Sequence, residues 1–139
     1  MSLTLSLDFQ YKTTLAKLWS ALTDSSKLAK WVADIHSGQA MENDFKPVVG
    51  HRFQFRAQPT QWWNGIIEGE VLVVDEPNRL SYTWASGEKH TVTWTLEDLG
   101  DGKVNLHLEQ TGISNEQALN GAKFGWTKWC DGLEKVLEQ

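Results

Sequence analysis

The chain has 139 residues, of which 40% are hydrophobic and 22% are charged, and its formal net charge is −5. This length and composition are typical of one globular domain, which we predict to span residues 1–139. The acidic balance argues against a nucleic-acid partner, because phosphate binding needs clustered Lys and Arg and the sequence has no basic run.

The types of residue present also exclude several kinds of site. A single cysteine, Cys130, rules out an intramolecular disulfide and a multi-cysteine metal site. The four histidines are far apart and form no metal motif, so we predict neither a metal nor another cofactor. No stretch approaches the ~18 apolar residues of a membrane span. The N-terminus alternates and does not resemble a signal peptide, so we expect a cytoplasmic protein.

A strand and two short helices are predicted first. Apolar and polar residues alternate over residues 3–9, which is typical of a half-buried strand. The first helix would be capped by Thr13 or Thr14, and the second by Ser25 or Ser26. Their apolar faces would be Leu15, Leu18, Trp19 and Leu22, and Leu28, Trp31 and Val32.

From residue 38 to residue 110 the pattern predicts strands joined by turns. Turns are expected at residues 76–78 and in the LGDGK segment. The strand before the first turn is apolar on both faces from Val71 to Val74, so the pattern does not assign its inward side. The other strands align on one face His51, Phe53, Phe55 and Ala57; Leu80, Tyr82 and Trp84; His90, Val92, Trp94 and Leu96; and Val104, Leu106 and Leu108.

One long amphipathic helix ends the chain, with Ser114 and Gln117 as a predicted capping box. One flank of its apolar stripe carries three glycines, Gly121, Gly125 and Gly132. Because glycine is unfavourable within a helix, they indicate either close approach of the sheet or a cavity or packed partner beside this flank. The stripe itself consists of Ala118, Leu119, Ala122, Trp126, Trp129, Cys130, Leu133, Val136 and Leu137.

This order of elements predicts an α+β fold. We expect a curved antiparallel sheet of about six to seven strands, with two short helices after the first strand and a long C-terminal helix packed across the sheet. One helix cannot cover such a sheet completely, so a space between helix and sheet is expected.

Five segments, in this order, give the chain a resemblance to a known family. They are LWSALTDSSKLAKWVAD, FKPVVGHRFQF, WWNGIIEGEVLVVDEPNRLSYTW, VTWTLEDLGDGKVNLHLEQTGI and GWTKWCDGLEKVL. They resemble the START-like (SRPBCC, helix-grip) superfamily, in particular the branch named for the activator of the 90-kDa heat-shock protein ATPase. The residues that carry the resemblance include Trp19, Thr23, Leu28, Trp31, Gly50, Phe53, Gly65, Val71, Pro77, Leu80 and Trp84.

The resemblance implies a seven-stranded sheet that grips the C-terminal helix around an internal cavity. Proteins of the superfamily bind lipids, hormones and other apolar molecules, and some are cyclases or hydrolases. The resemblance alone does not transfer chaperone activation to this chain.

Our first hypothesis is a non-catalytic binder of a small apolar or aromatic ligand. The alternative for each predicted lining residue is simple core packing, and for Cys130 an inert buried thiol is favoured over a nucleophile. The predicted lining residues are His51, Phe53, Phe55, Trp84, His90, Trp94, Trp126 and Cys130.

Two other hypotheses remain open. The first is an enzyme of the cyclase or hydrolase type that uses His51 or His90 as an acid–base group. Glu68 and Glu70, two residues apart on one strand face, could also serve acid–base chemistry, but such pairs more often form a solvated face. The second is a stress-linked or chaperone-linked interaction module, or a homodimer, that uses Trp62, Trp63 and Phe124.

Overall fold

A computed structural model describes residues 2–33, 41–59, 61 and 64–138. In chain order the elements are β1 (Leu3–Lys12), α1 (Leu15–Thr23), α2 (Ser25–Trp31), β2 (Glu42–Asn43), β3 (Arg52–Arg56), β4 (Ile66–Asp75), β5 (Arg79–Ser86), β6 (Glu88–Gly100), β7 (Lys103–Ile113) and α3 (Glu116–Leu137).

The strands form one antiparallel sheet in the order β1-β7-β6-β5-β4-β3-β2. Consecutive strands from β2 to β7 are neighbours, while β1 pairs with β7 at the other end of the sheet. The β6–β7 turn places Asp101 at φ 56° and Gly102 at φ 75°, the left-handed conformation that a tight hairpin needs. The predicted α+β helix-grip architecture, with seven strands in the described residues, is confirmed.

Two of the predicted helix caps are wrong by one residue. Asp24, and neither Ser25 nor Ser26, caps α2: its Oδ1 accepts from the backbone N of Ser26 at 2.9 Å. Asn115, and not Ser114, caps α3, with its Oδ1 2.8 Å from the backbone N of Ala118. At α1, Thr14 is the cap, one of the two residues predicted. Neighbouring cap-type residues differ only in which side chain reaches the free N–H groups, and the sequence pattern does not contain that geometry.

The inward face of β4 is now assigned. Ile67 and Val71 are buried, and Gly69 lies between them on the same face. A side chain at residue 69 would overlap the carbonyl oxygen of Thr83 on β5. The register of β4 against β5 then shifts between Val71 and Val73. Such a bulge puts consecutive residues on one face: Leu72 and Val73 are exposed, while Val71 and Val74 both pack against the core.

The predicted apolar stripe of helix α3 packs against the rest of the domain. Trp126, Cys130 and Leu133 are buried, whereas Phe124, on the opposite side, is 61% exposed. The hydroxyl of Tyr11 on β1 donates to the backbone oxygen of Cys130 at 2.9 Å and ties the helix to the end of the sheet. Within the described residues no helix is both long and apolar enough to traverse a membrane.

Candidate functional site

Most of the predicted lining residues come together between the sheet and α3. Phe53 and Phe55 on β3 pack edge to face with ring centroids 5.8 Å apart, and Phe55 lies 5.4 Å from Trp84 on β5. Trp94 on β6 packs edge to face on Trp126 of α3 at 5.3 Å. All five rings are buried. They pack against one another and fill the layer between the helix and the sheet.

Three indoles form a compact group, which we call the tryptophan cluster: Trp84, Trp126 and Trp129. Trp126 lies 5.2 Å from Trp84 and 5.1 Å from Trp129, measured between ring centroids. Trp84 and Trp129 are 6.1 Å apart. Trp129 is the partly exposed member, and its indole Nε1 donates to the backbone oxygen of Ala33 at 2.7 Å. The cluster therefore has one deep side, at Trp126, and one side that reaches the surface.

A row of polar side chains runs from the surface to the tryptophan cluster. The Nε1 of Trp126 is 2.6 Å from Oε1 of Gln110, and Nε2 of Gln110 is 2.6 Å from Nδ1 of His90. The other ring nitrogen of His90 is 2.7 Å from a carboxylate oxygen of Glu88. We call Glu88, His90, Gln110 and Trp126 the polar chain. It links solvent to an otherwise aromatic interior.

The strand register explains why the polar chain forms. His90 on β6 lies directly opposite Trp84 on β5, and Gln110 on β7 lies opposite Val92 on β6. His90 and Gln110 both fall on the sheet face that packs against α3, so their side chains must find partners within that layer. Gln110 is only 2% exposed, and both ends of its amide are hydrogen-bonded.

The ends of the polar chain fix the direction of every hydrogen bond in it. An indole N–H can only donate, and an ionised carboxylate can only accept. Gln110 must therefore present its oxygen to Trp126 and its N–H to Nδ1 of His90. His90 is then neutral and carries its proton on Nε2, facing Glu88. Hydrogen bonds from His90 and from Ser114 hold the pKa of the Glu88 carboxyl below its usual range.

Two of the predicted residues have other surroundings. The Nε2 of His51 is 2.7 Å from the backbone oxygen of Asp44, in the segment that precedes β3. Cys130 is 1% exposed, and burial raises the pKa of its thiol to about 12. A thiol that stays protonated at neutral pH is a poor nucleophile, which agrees with the inert role favoured from the sequence.

Sequence reasoning omitted Gln110 and Trp129 from the site. Trp129 lies on the predicted apolar stripe of α3 but is not among the predicted lining residues. Gln110 continues the inward alternation of Val104, Leu106 and Leu108, so its position in the strand is the signal that could have identified it. Trp62 and Trp63, proposed above as a contact surface, lie outside the described residues.

Glu68 and Glu70 lie on the other face of the sheet. They border an open cavity of about 520 Å³ together with Arg52, whose Nε is 3.6 Å from a carboxylate oxygen of Glu70. Arg52 is largely exposed, so this is a solvated ion pair of small energetic weight. Across the described part of the chain, no group of three or more His, Cys, Asp or Glu side chains is placed to hold a metal ion.

Comparisons with known proteins identify the fold and the family. The model of the family described as Activator of Hsp90 ATPase homolog 1-like protein matches residues 12–138. The chain is 34% identical to protein MLL2253 of Mesorhizobium loti, with a TM-score of 0.83, and the match covers 98% of this chain and 97% of that one. No curated protein matches the chain.

More distant solved structures share the fold. Protein CV1439 of Chromobacterium violaceum is 21% identical, with a TM-score of 0.79 and coverage of 98% of this chain and 97% of that chain. A Plasmodium falciparum protein described as an HSP90 activator is 20% identical, with a TM-score of 0.77 and coverage of 97% and 96% respectively. At these identities the similarity concerns the fold alone.

Proposed function

This chain belongs to the Activator of Hsp90 ATPase homolog 1-like protein family, and we propose that it is a non-catalytic binder of a small aromatic or apolar molecule. The ligand sits between the sheet and α3, against the tryptophan cluster. Ligand sites in proteins are mostly apolar, with a few convergent polar groups that set orientation. The tryptophan cluster and the polar chain have this composition.

The observation that carries the proposal is the contact of Gln110 with Trp126. A fully apolar core is served equally well by a leucine at residue 110, and burial of an amide there requires two matched partners. The protein instead aligns Gln110 between His90 and Trp126, at 2.6 Å from each. A polar group so placed beside large flat rings supports recognition of a planar ligand.

Trp129 offers the route of entry. Its ring is partly exposed and forms T-shaped pairs with both Trp84 and Trp126. A planar molecule that takes the place of this ring keeps the aromatic contacts of the other two, each worth roughly 0.5–1.5 kcal/mol beyond the buried area. Among the residues that the structure describes, displacement of Trp129 breaks one side-chain hydrogen bond, to the backbone oxygen of Ala33.

Two features support binding without catalysis. Both ring nitrogens of His90 face protein groups, Gln110 and Glu88, so neither is directed at the ligand position beside the tryptophan cluster. The pKa of Cys130, the candidate nucleophile, is raised, so its thiol stays protonated at neutral pH.

Isothermal titration calorimetry with naphthalene, 2-ethylnaphthalene and indole tests the proposal. We expect saturable binding, with tighter binding to Trp129→Leu than to the wild type, because this variant removes the ring that the ligand must displace. Phe124→Leu is the matched control, since it alters an exposed aromatic residue on the opposite side of the same helix. The absence of saturation for all three probes, or equal affinity for both variants, would contradict the proposal.

A further inference from the structure

The donors and acceptors of the polar chain match only while Nδ1 of His90 is an acceptor. With neutral His90, each of its bonds pairs one donor with one acceptor, from the indole of Trp126 to the carboxylate of Glu88. We propose that protonation of His90 breaks this pairing at Gln110, frees the indole N–H of Trp126, and so makes the tryptophan cluster a pH-controlled site for aromatic ligands that carry an acceptor oxygen. The ligand part of this inference rests on the proposed function.

A second proton on His90 must go to Nδ1, because Nε2 already carries one. That nitrogen then becomes a donor that faces the N–H of Gln110 at 2.6 Å. Rotation of the amide by half a turn gives His90 an oxygen to donate to, but it turns the amide N–H toward the indole N–H of Trp126. Neither orientation of Gln110 satisfies both neighbours, because Trp126 and His90 lie at opposite ends of the amide and its oxygen can face only one of them.

The charged hydrogen bond decides which contact is lost. A bond from imidazolium to the amide oxygen is stronger than one from a neutral indole, so Gln110 turns toward His90. Trp126 and Gln110 then present two N–H donors to each other. A ligand with a carbonyl oxygen can accept from both of them, whereas a hydrocarbon of the same shape cannot.

The surroundings of His90 allow this proton to bind. Its side chain is 13% exposed, and the carboxylate of Glu88 is 2.7 Å from Nε2. The residues that face His90 from neighbouring elements are neutral: Trp84 on β5, Gln110 on β7 and, through Gln110, Trp126 on α3. Lys89, the preceding residue, is cationic and exposed.

The first test uses the protein without ligand. In ¹H–¹⁵N spectra of the tryptophan indoles, we expect the Trp126 signal to move upfield between about pH 8 and pH 5.5 as its hydrogen bond is lost. The signal should stay in place in His90→Gln, and it should still move in His107→Gln, which alters a histidine paired with Asp8 at the surface. A stationary Trp126 signal in the wild type, or an equal movement in His90→Gln, would overturn the proposal.

If the His90→Gln variant does not fold, a second measurement on the wild-type protein takes its place. The ring ¹⁵N signals of His90 in the wild-type protein report its protonation directly. Their midpoint should coincide with that of the Trp126 indole signal. Two clearly different midpoints would overturn the proposal, because they would show that another group moves Trp126.

The second test compares two neutral ligands of nearly equal shape, 2-acetylnaphthalene and 2-ethylnaphthalene. At about pH 8 their dissociation constants should be similar. At about pH 5.5 the acetyl compound should bind at least about fivefold more tightly, while the ethyl compound changes little. If the ratio of the two dissociation constants is the same at both pH values, the pH control of the site is overturned and the proposed function is left intact. If neither compound binds at either pH, the proposed function and the ligand part of this inference both fail, and the indole titration alone decides the protonation switch.

Discussion

The indole Nε1 of Trp126 and the amide Oε1 of Gln110 are 2.6 Å apart, which links the C-terminal helix to β7 through the interior of the domain. Trp126 is 3% exposed and Gln110 is 2% exposed, so neither group has water as an alternative partner. The contact joins the aromatic layer to a polar route that ends at the surface on Glu88.

Replacement of Gln110 by leucine should destabilise the domain. Gln110→Leu leaves the indole N–H of Trp126 and the Nδ1 of His90 without partners, and one buried orphan group costs about 1–3 kcal/mol. Urea unfolding followed by circular dichroism measures the loss. Gln10→Leu, at an exposed position of β1, is the control and should change the free energy of unfolding by less than about 0.5 kcal/mol. Equal effects of the two substitutions would show that the buried amide has no special role.

Two glycine-to-alanine substitutions should have opposite effects. A Cβ at Gly69 overlaps the carbonyl oxygen of Thr83, so Gly69→Ala forces β4 and β5 apart and should cost on the order of 1–3 kcal/mol. Gly121 lies in α3 with open space where its Cβ would be, so Gly121→Ala should stabilise the helix by about 0.5–1 kcal/mol. Thermal unfolding of the two variants gives the signs. A neutral or stabilising Gly69→Ala would contradict the close approach of these strands.

The hydroxyl of Tyr82 should matter more than that of Tyr11. Tyr82 accepts from the indole Nε1 of the fully buried Trp94 at 2.7 Å, so Tyr82→Phe leaves a buried donor unpaired and should cost about 1–3 kcal/mol. Tyr11 donates to a carbonyl within α3, which the helix also supplies with its own donor, so Tyr11→Phe should cost about 1 kcal/mol or less. Denaturant unfolding of both variants compares them. A larger loss in Tyr11→Phe would reverse this assignment.

Cys130 should make the domain sensitive to alkali. Its folded-state pKa of about 12 lies above the ~8.5 of an unfolded thiol, so the folded state favours the neutral form. The resulting stability is fully present below about pH 8.5 and is lost as pH rises toward 12, by at most about 1.4 kcal/mol per pH unit. Unfolding free energies between pH 8 and pH 10 should fall less steeply in Cys130→Ala than in the wild type. Parallel slopes would show that the thiol ionises equally in both states.

Several parts of the fold follow from local sequence patterns, and others do not. The alternation of Val92, Trp94 and Leu96 predicted the inward face of β6, because a strand with one buried face repeats every two residues. The turn around Gly102 followed from its LGDGK segment. The bulge near Leu72 could not be predicted, since it is a property of the pairing between β4 and β5 and not of the local residue pattern.

The candidate site was predicted only in part, for a related reason. Trp84, His90 and Trp126 were each selected from their own element, since local periodicity indicates which side chains point inward. The contact between Gln110 and Trp126 joins residues on separate elements, and its geometry arises only when α3 packs on the sheet. The pairing of a buried amide with two specific partners is a tertiary property that no local pattern contains.

Binding of an aromatic molecule at the tryptophan cluster is the central claim, and an indole-resolved titration tests it most directly. With 2-ethylnaphthalene added to ¹⁵N-labelled protein, the indole signals of Trp126 and Trp129 should shift together and saturate. The signal of Trp31, whose Nε1 donates to the backbone oxygen of Ala21 elsewhere in the core, should change little. Signals of Trp126 and Trp129 that stay fixed while the ligand is in excess would contradict the account.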